Sequence, residues 1–233
     1  MQEVIYEGLL GDVPYNVKKL TTDHLPEVLT LQEVVLDALP DKDILQPLSV
    51  EEFLYILNGN GMLIGAYVDQ QLIAFRAVVV PKINDEHLGY DLGLVDEADL
   101  KRIIYQEISN VHPSYRGFGL QKTLAKVIVK EIDSSKFDYM CTTVMPYNIA
   151  SLKDKFVQGF YIVAIKRIYG GKLRYVLALN LHNEPQYEND SIDIFMGDID
   201  GQEQLLKQGY VGVLMKQVDD DWLVTYKMPI KIN

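Results

Sequence analysis

Residues 105–132 read YQEISNVHPSYRGFGLQKTLAKVIVKEI. The stretch predicts a buried strand, a tight glycine turn and an amphipathic helix in immediate succession. Ile108 to Val111 form the strand, after the apolar pair Ile103 and Ile104. Pro113, following His112, stops it, because proline has no N–H to donate to a central ladder. Arg116-Gly117-Phe118-Gly119 makes the turn. Beyond it Leu120, Leu124, Ile128 and Ile132 recur at helical spacing with Val127 beside them, while Lys122, Lys126 and Lys130 fall on another face. Such a turn brings a row of backbone N–H groups, the positive end of a helix dipole and the Arg116 cation to one place, a combination that binds phosphate.

Glycine turns of this kind serve several phosphate loops. This one lacks the Gly-Lys-Ser/Thr ending of a Walker loop, and Lys122 stands where a dinucleotide fingerprint needs its third glycine. The segment resembles the pyrophosphate loop of the GNAT superfamily of N-acetyltransferases, Arg/Gln-x-x-Gly-x-Gly/Ala after an apolar strand and a Pro-x-Tyr. Pro113, Tyr115, Arg116 and Gly119 match, and Gln121 replaces the usual Gly or Ala. Asn148-x-x-Ser151 followed by Gly159-Phe160 resembles a second segment of the same family, in the right order along the chain.

Working outward, Phe137 to Val144 reads as a strand, Asn148 to Gln158 as a short helix ended by Gly159, and Phe160–Ile168 with Leu173–Leu181 as a hairpin around Gly170-Gly171. On the other side, Val13 to Leu20 reads as the first strand. A helix capped at Thr22 or Asp23 follows, with Val28, Leu29, Leu31, Val35 and Leu39 as its apolar positions and Pro40 beyond its end. Ser49-x-x-Glu52 is a capping box opening a second helix that stops at Asn58-Gly59. Met62–Val68 and Leu72–Val80 form a hairpin. Residues 82–101 interrupt the pattern as an insertion, read as a surface loop and short helix or as a substrate lid. The resulting order is that of a GNAT-type α/β (α+β) fold, a mixed β-sheet flanked by helices, over residues 1–182.

Residues 183–233 read as a linker and a small β-rich C-terminal extension. His182 to Asp190 is polar and carries one proline; Ile192–Met196, Tyr210–Lys216 and Trp222–Met228 are strand-like, with a short helix near Gln204–Gln208. Trp222, Val224 and Tyr226 share a face by period two, with Trp222 the expected anchor. So small a unit cannot cover that face alone, which predicts docking on the body or across a homodimer. Asp219-Asp220-Asp221 is read as a solvated turn rather than a metal site. No internal repeat is evident.

Composition narrows the classes further. A single cysteine, Cys141, excludes internal disulfides and multi-cysteine zinc sites. A net charge of −11 argues against nucleic acid and is compatible with a cationic amine. No apolar run approaches the about 20 residues of a membrane span, and the first residues show no signal pattern. Together these predict a soluble, cytoplasmic protein with no membrane partner.

The resemblance implies acetyl-CoA as co-substrate and transfer of its acetyl group to a small-molecule or protein amine by direct attack. It places pantetheine along the backbone at Asn110 and Val111, the pyrophosphate on Arg116, Gly117, Phe118, Gly119, Leu120 and Gln121, and a further coenzyme contact at Asn148, which also caps its helix. Glu107 on the central strand is the candidate base, placed by strict alternation on one face with Ser109 and Val111. Where many relatives carry a tyrosine acid, four residues before the Gly-Phe pair, this chain has Lys155, read as a solvated helix lysine, with Phe156 as core. Tyr147 is the replacement candidate acid, ahead of Tyr161. His112 reads as a loop residue and Cys141 as a buried strand residue. Two other classes stand beside the enzyme: a non-catalytic acyl-CoA-binding regulatory or interaction protein, and an unrelated phosphate-ligand binder. Acyl transfer to amine pools separates the first from the second, and stabilisation by coenzyme A but not by nucleotides separates both from the third.

Overall fold

A computed structural model describes residues 3–40 and 45–230. Its strands are flanked by helices, the α/β class expected, and the chain divides into two compact units: residues 1–81 with 104–133, and residues 82–103 with 134–233.

In the first unit the strands β1 (Val4–Leu10), β2 (Val13–Lys19), β3 (Gly61–Val68), β4 (Gln71–Val79) and β5 (Ile103–Val111) lie side by side in chain order, every neighbour antiparallel. β1 lies outside the expectation that the sheet starts at Val13. Its VIYEGLL is mostly apolar, but Glu7-Gly8 interrupts the run and only its last residue is buried, so it does not show the alternation of a half-buried strand. Helix α1 (Leu25–Asp37) follows a 3-10 turn, Thr22–His24. Helix α2 (Val50–Tyr55) opens on the expected capping box: Glu52 N–H donates to Ser49 Oγ at 3.2 Å, and Ser49 N–H to Glu52 Oε2 at 2.7 Å. It runs into a π turn over Ile56–Asn60, where Gly59 takes a positive φ of 97° that disfavours other residues. The core on this side of the strands joins Val28, Leu31 and Val35 of α1 and Phe53 of α2 to Phe75 and Ala77 of β4 and Ile108 of β5. The helix expected after the glycine turn is α4 (Leu120–Glu131), which buries Leu120, Leu124, Val127 and Ile128.

In the second unit the interruption at 82–101 forms a 3-10 turn over Leu88–Leu92 and a single-turn helix α3 (Glu97–Leu100). It is packed rather than loose: His87, Leu88 and Leu100 are buried, and Asp91 pairs with Lys166 at 2.5 Å. Next come β6 (Tyr139–Val144), α5 (Ile149–Val157), β7 (Tyr161–Ile168) and β8 (Lys172–Asn180). The extension is more regular than expected: β9 (Tyr187–Phe195), α6 (Ile199–Lys207), β10 (Val211–Val218) and β11 (Asp221–Pro229). The linker is therefore shorter, because Tyr187 to Asp190 already belong to β9. Strand order in this unit is β6-β8-β7-β10-β11-β9.

The extension repeats the segment before it. α5 and α6 are 50 residues apart at both ends, and so are β7 and β10. The β7–β8 register, from Ile168↔Lys172 to Tyr161↔Ala178, maps onto Val218↔Asp221 to Val211↔Lys227, with a bulge at the same place in each, after Ile162 and after Gly212. Val144↔Tyr175 maps onto Ile194↔Val224 in the same way. Each helix is capped by an acceptor side chain three residues ahead of its donor, Asn148 from Ser151 N–H and Asp198 from Gly201 N–H. The two copies share few residues, among them Gln158/Gln208, Gly159/Gly209 and Lys166/Lys216. The repeat thus survives in hydrogen-bond register and turn geometry, which a comparison of side chains does not detect.

Docking of the extension follows from this repeat. Gly212 of β10 lies opposite Ile162 of β7 in an antiparallel pair. Gln202 of α6 is fully buried and accepts from the hydroxyls of Tyr175 on β8, at 2.8 Å, and Tyr226 on β11, at 2.9 Å, while its amide donates to the Met196 carbonyl at 2.9 Å. Tyr226 and Val224 are the buried anchors; Trp222 is only half-buried, with the Lys153 ammonium 4.9 Å from its ring centroid.

Candidate functional site

The turn after β5 has the geometry the sequence predicts. His112 Nδ1 accepts from Ser114 N–H and caps a 3-10 turn over Pro113–Tyr115. Arg116 is extended, and Gly117 and Gly119 take φ values of 86° and 75°, a left-handed backbone in which side chains are strained. Gly119 is the N-cap of α4; no side chain caps the helix, and no acidic residue lies in its first turn. The N–H groups of that first turn are therefore left for an outside acceptor. A Cβ placed on either glycine would meet nothing within 4 Å, so the space above the turn is open. Arg116, Gly117, Phe118, Gly119 and Lys122 are exposed, Gln121 is half-buried and Leu120 is anchored in the core. Open backbone donors, a helix dipole and two cations suit a pyrophosphate.

One residue of this site escapes a reading of the sequence. Arg76 of β4 is fully buried, and its Nη1 donates to the Gln121 carbonyl in the first turn of α4 at 2.9 Å. It holds the helix start and sets a positive charge beneath the glycine turn. In the sequence it is a lone arginine inside LIAFRAVV, and nothing local marks it as buried.

β5 carries the second correction. Its pairing with β4 steps from Arg76↔Ser109 to Val78↔Gln106, two residues on one strand against three on the other. This is a β-bulge at Glu107 and Ile108, which breaks strict alternation and turns both toward the side facing Ala77. Glu107 consequently does not share a face with Ser109 and Val111. Ser109 lies with Arg76 on the α4 side, whereas Glu107, Ile108 and Asn110, the last opposite Phe75, lie on the side of α1 and α2. Phe75 meets Phe53 of α2 edge-on at 5.9 Å, which confirms the side.

Glu107 is accessible to solvent, yet removal of surrounding water raises its pKa to about 7, with the Glu52 carboxylate of α2 adding to the rise. Asn110 is buried beside it on the strand, and neither amide atom has a hydrogen-bond partner among the described residues. Val111 is half-buried at the end of the strand, where the next amide, His112 N–H, donates to the Ile73 carbonyl at 2.8 Å.

The remaining candidates belong to the second unit. Asn148 caps α5 as expected, accepting from Ser151 N–H at 3.2 Å. Tyr147 has a positive φ of 63°, and its hydroxyl donates to Asp221 Oδ1 at 3.2 Å. Desolvation and that bond raise its pKa, so the phenol keeps its proton. Lys155 is not solvated. It is 5% exposed, pairs with Asp154 at 3.2 Å and lies over the Phe160 ring, while Phe156 is only half-buried. Its long stem fills a core position that Leu205 fills in the repeat, with the ammonium satisfied by the adjacent carboxylate. Burial raises the pKa of Tyr161 and of the Cys141 thiol, which is therefore no nucleophile.

No protein-family model matches the chain, and no curated protein does. Solved structures do. A ribosomal-protein-S18-alanine N-acetyltransferase from Escherichia coli superposes with a TM-score of 0.54 at 17% identity, over 76% of this chain and 98% of its own. An acetyltransferase of the GNAT family from Streptococcus pneumoniae gives 0.52 at 16% identity, over 71% and 98%. A suspected acetyltransferase from Salmonella typhimurium, solved with its cofactor acetyl-CoA, gives 0.53 at 13%, over 72% and 95%. The fold is that of the GNAT acetyltransferases. Each of these proteins is matched over nearly its whole length, and about a quarter of this chain lies outside each match. No helix among the described residues is long and apolar enough to cross a membrane.

Proposed function

We propose that the chain is an N-acetyltransferase that moves an acetyl group from acetyl-CoA to a primary amine. The observation that carries this reading is the uncapped start of α4, with its open glycine turn and the Arg76 guanidinium beneath it. Pyrophosphate oxygens would take the free N–H groups from Gly117 to Gln121, with Arg116 alongside, and Asn110 and Val111 would line the pantetheine.

A primary amine is protonated at neutral pH and must lose a proton to attack a thioester. Glu107, with a pKa of about 7, is matched to accept it. The nitrogen bonds to the acetyl carbon, the carbon–sulfur bond breaks, and coenzyme A leaves as a thiolate or takes a proton from water. A simple thiol has a pKa of about 8.5, so the thiolate is a tolerable leaving group without a dedicated acid. This matters because Lys155 is buried against Asp154, and Tyr147 is the one candidate acid that stays exposed. The acceptor is an amine on a small molecule or on a protein.

The experiment is acetyl transfer from labelled acetyl-CoA to pooled amines and peptides, beside coenzyme A binding by calorimetry. Transfer abolished by Glu107→Gln supports the enzyme. Binding without transfer to any amine assigns the chain instead to the acyl-CoA-binding regulators, which the buried Lys155 at the usual acid position favours. No binding of coenzyme A removes both readings.

A further inference from the structure

The pairing of β7 with β10 has a symmetry that ordinary strand neighbours lack. Ile162 and Gly212 are equivalent residues of the two repeats, and they lie opposite each other in an antiparallel pair. In such a pair, a residue k places after Ile162 faces the residue k places before Gly212. The two repeats are thus related by a local two-fold axis through this pair. That is the arrangement of an isologous interface, in which one surface patch meets its own equivalent. Here both patches belong to one chain.

We propose that residues 187–229 serve as a built-in second subunit: they occupy the β7 edge that another copy of this chain would otherwise pair with. Without them β7 would be an open edge, a template for any strand of matching register. The competing cover with the same two-fold geometry is the equivalent patch of a second copy.

The pair on the axis selects the extension over that competitor. Gly212 has no side chain, and a Cβ built on it would lie 3.0 Å from both Ile162 Cβ and Cδ1, and 3.1 Å from Val224 Cγ1. Ile162 is fully buried and fills this space. A second copy would present its own Ile162 there, and two such side chains fit only at a wider strand separation than the one glycine allows. The extension presents glycine and is tethered by residues 181–186, so its effective concentration is far above that of free protein. The chain is therefore closed along this edge without a partner.

The test uses the full chain and needs no ligand. Hydrogen exchange at β7 amides, protease cleavage within residues 181–186, and light scattering are followed for wild type, Gly212→Ala, Gly212→Ile, Ile162→Gly and the double variant Ile162→Gly/Gly212→Ala. Wild type is expected to show β7 protection that does not change with protein concentration, at the mass of one chain. Gly212→Ala overfills the axis and should speed β7 exchange and linker cleavage about tenfold or more. The double variant removes the obstructing isoleucine, so it should be better protected than either single variant predicts by addition. Gly212→Ile places isoleucine against isoleucine, as a second copy would, and should release the extension even if a small strand shift absorbs the alanine. The proposal is overturned if both Gly212 variants leave the extension protected, if the double variant merely adds the single effects, or if β7 protection in wild type rises with concentration, since a second chain would then be the cover.

Discussion

Arg76 Nη1 lies 2.9 Å from the Gln121 carbonyl oxygen, so a fully buried cation on β4 grips the first turn of the helix whose start is the candidate pyrophosphate site. A positive charge under a helix N-terminus opposes the helix dipole and costs stability, but it adds to the attraction for an anion above. That opposition gives a prediction. Arg76→Met keeps the bulk and removes the charge and its hydrogen bond. Coenzyme A affinity should fall about tenfold, roughly 1.4 kcal/mol, and stability should fall by about 1–3 kcal/mol, because the Gln121 carbonyl loses its buried donor. Calorimetry with parallel denaturation checks this; a large loss of stability with unchanged affinity would make Arg76 purely structural.

Gly119 separates backbone from charge effects at the same site. Its φ of 75° strains any other residue, although the space above it is open. Gly119→Ala should cost about 1 kcal/mol of stability and retain measurable binding. Gly119→Glu adds a carboxylate where the pyrophosphate would lie and should abolish binding. Equal coenzyme A affinity in folded Gly119→Glu and wild type would refute the assignment of this turn.

Glu107 sets an expected pH dependence. Its pKa is raised to about 7, so as a base it is competent only once deprotonated, and turnover should climb as pH passes through that value. Glu107→Gln should lower turnover by about 10²–10⁴-fold, the usual contribution of general-base catalysis, and abolish the climb. Stability has the opposite sense. The folded protein holds this proton more tightly than the unfolded chain, so Glu107 costs stability increasingly from its ordinary value of 4.5 up to about 7. Glu107→Gln should therefore melt higher than wild type at pH 8 and no higher at pH 4. A pH–rate profile and thermal melts at both pH values test the two halves separately.

Gln202 is the polar hub that joins the repeats. Gln202→Leu installs the leucine that Leu152 supplies in the first copy, but it strips partners from the Tyr175 and Tyr226 hydroxyls and from the Met196 carbonyl. The loss should be about 2–4 kcal/mol by equilibrium denaturation, with coenzyme A affinity unchanged. A neutral effect would show that the network contributes nothing to holding the extension.

The sequence by itself determined most of the helix and strand order of the GNAT-type body and the glycine turn before α4, because those features are local. Apolar spacing over Leu120–Ile128, the Ser49–Glu52 box, the Asn148 cap and the two positive-φ glycines each follow from a few neighbouring residues and need no distant contact. Tertiary structure alone decided the rest. The bulge that turns Glu107 toward α2 arises because β4 and β5 must keep register across unequal numbers of residues, a property of two strands and not of either. Arg76 and Lys155 are buried against composition-based expectation because folding encloses each cation together with an acceptor, the Gln121 carbonyl in one case and the Asp154 carboxylate in the other. The repeat is hidden in the sequence for the same reason: what its two copies share is hydrogen-bond register, a quantity fixed between strands and only weakly written in side chains.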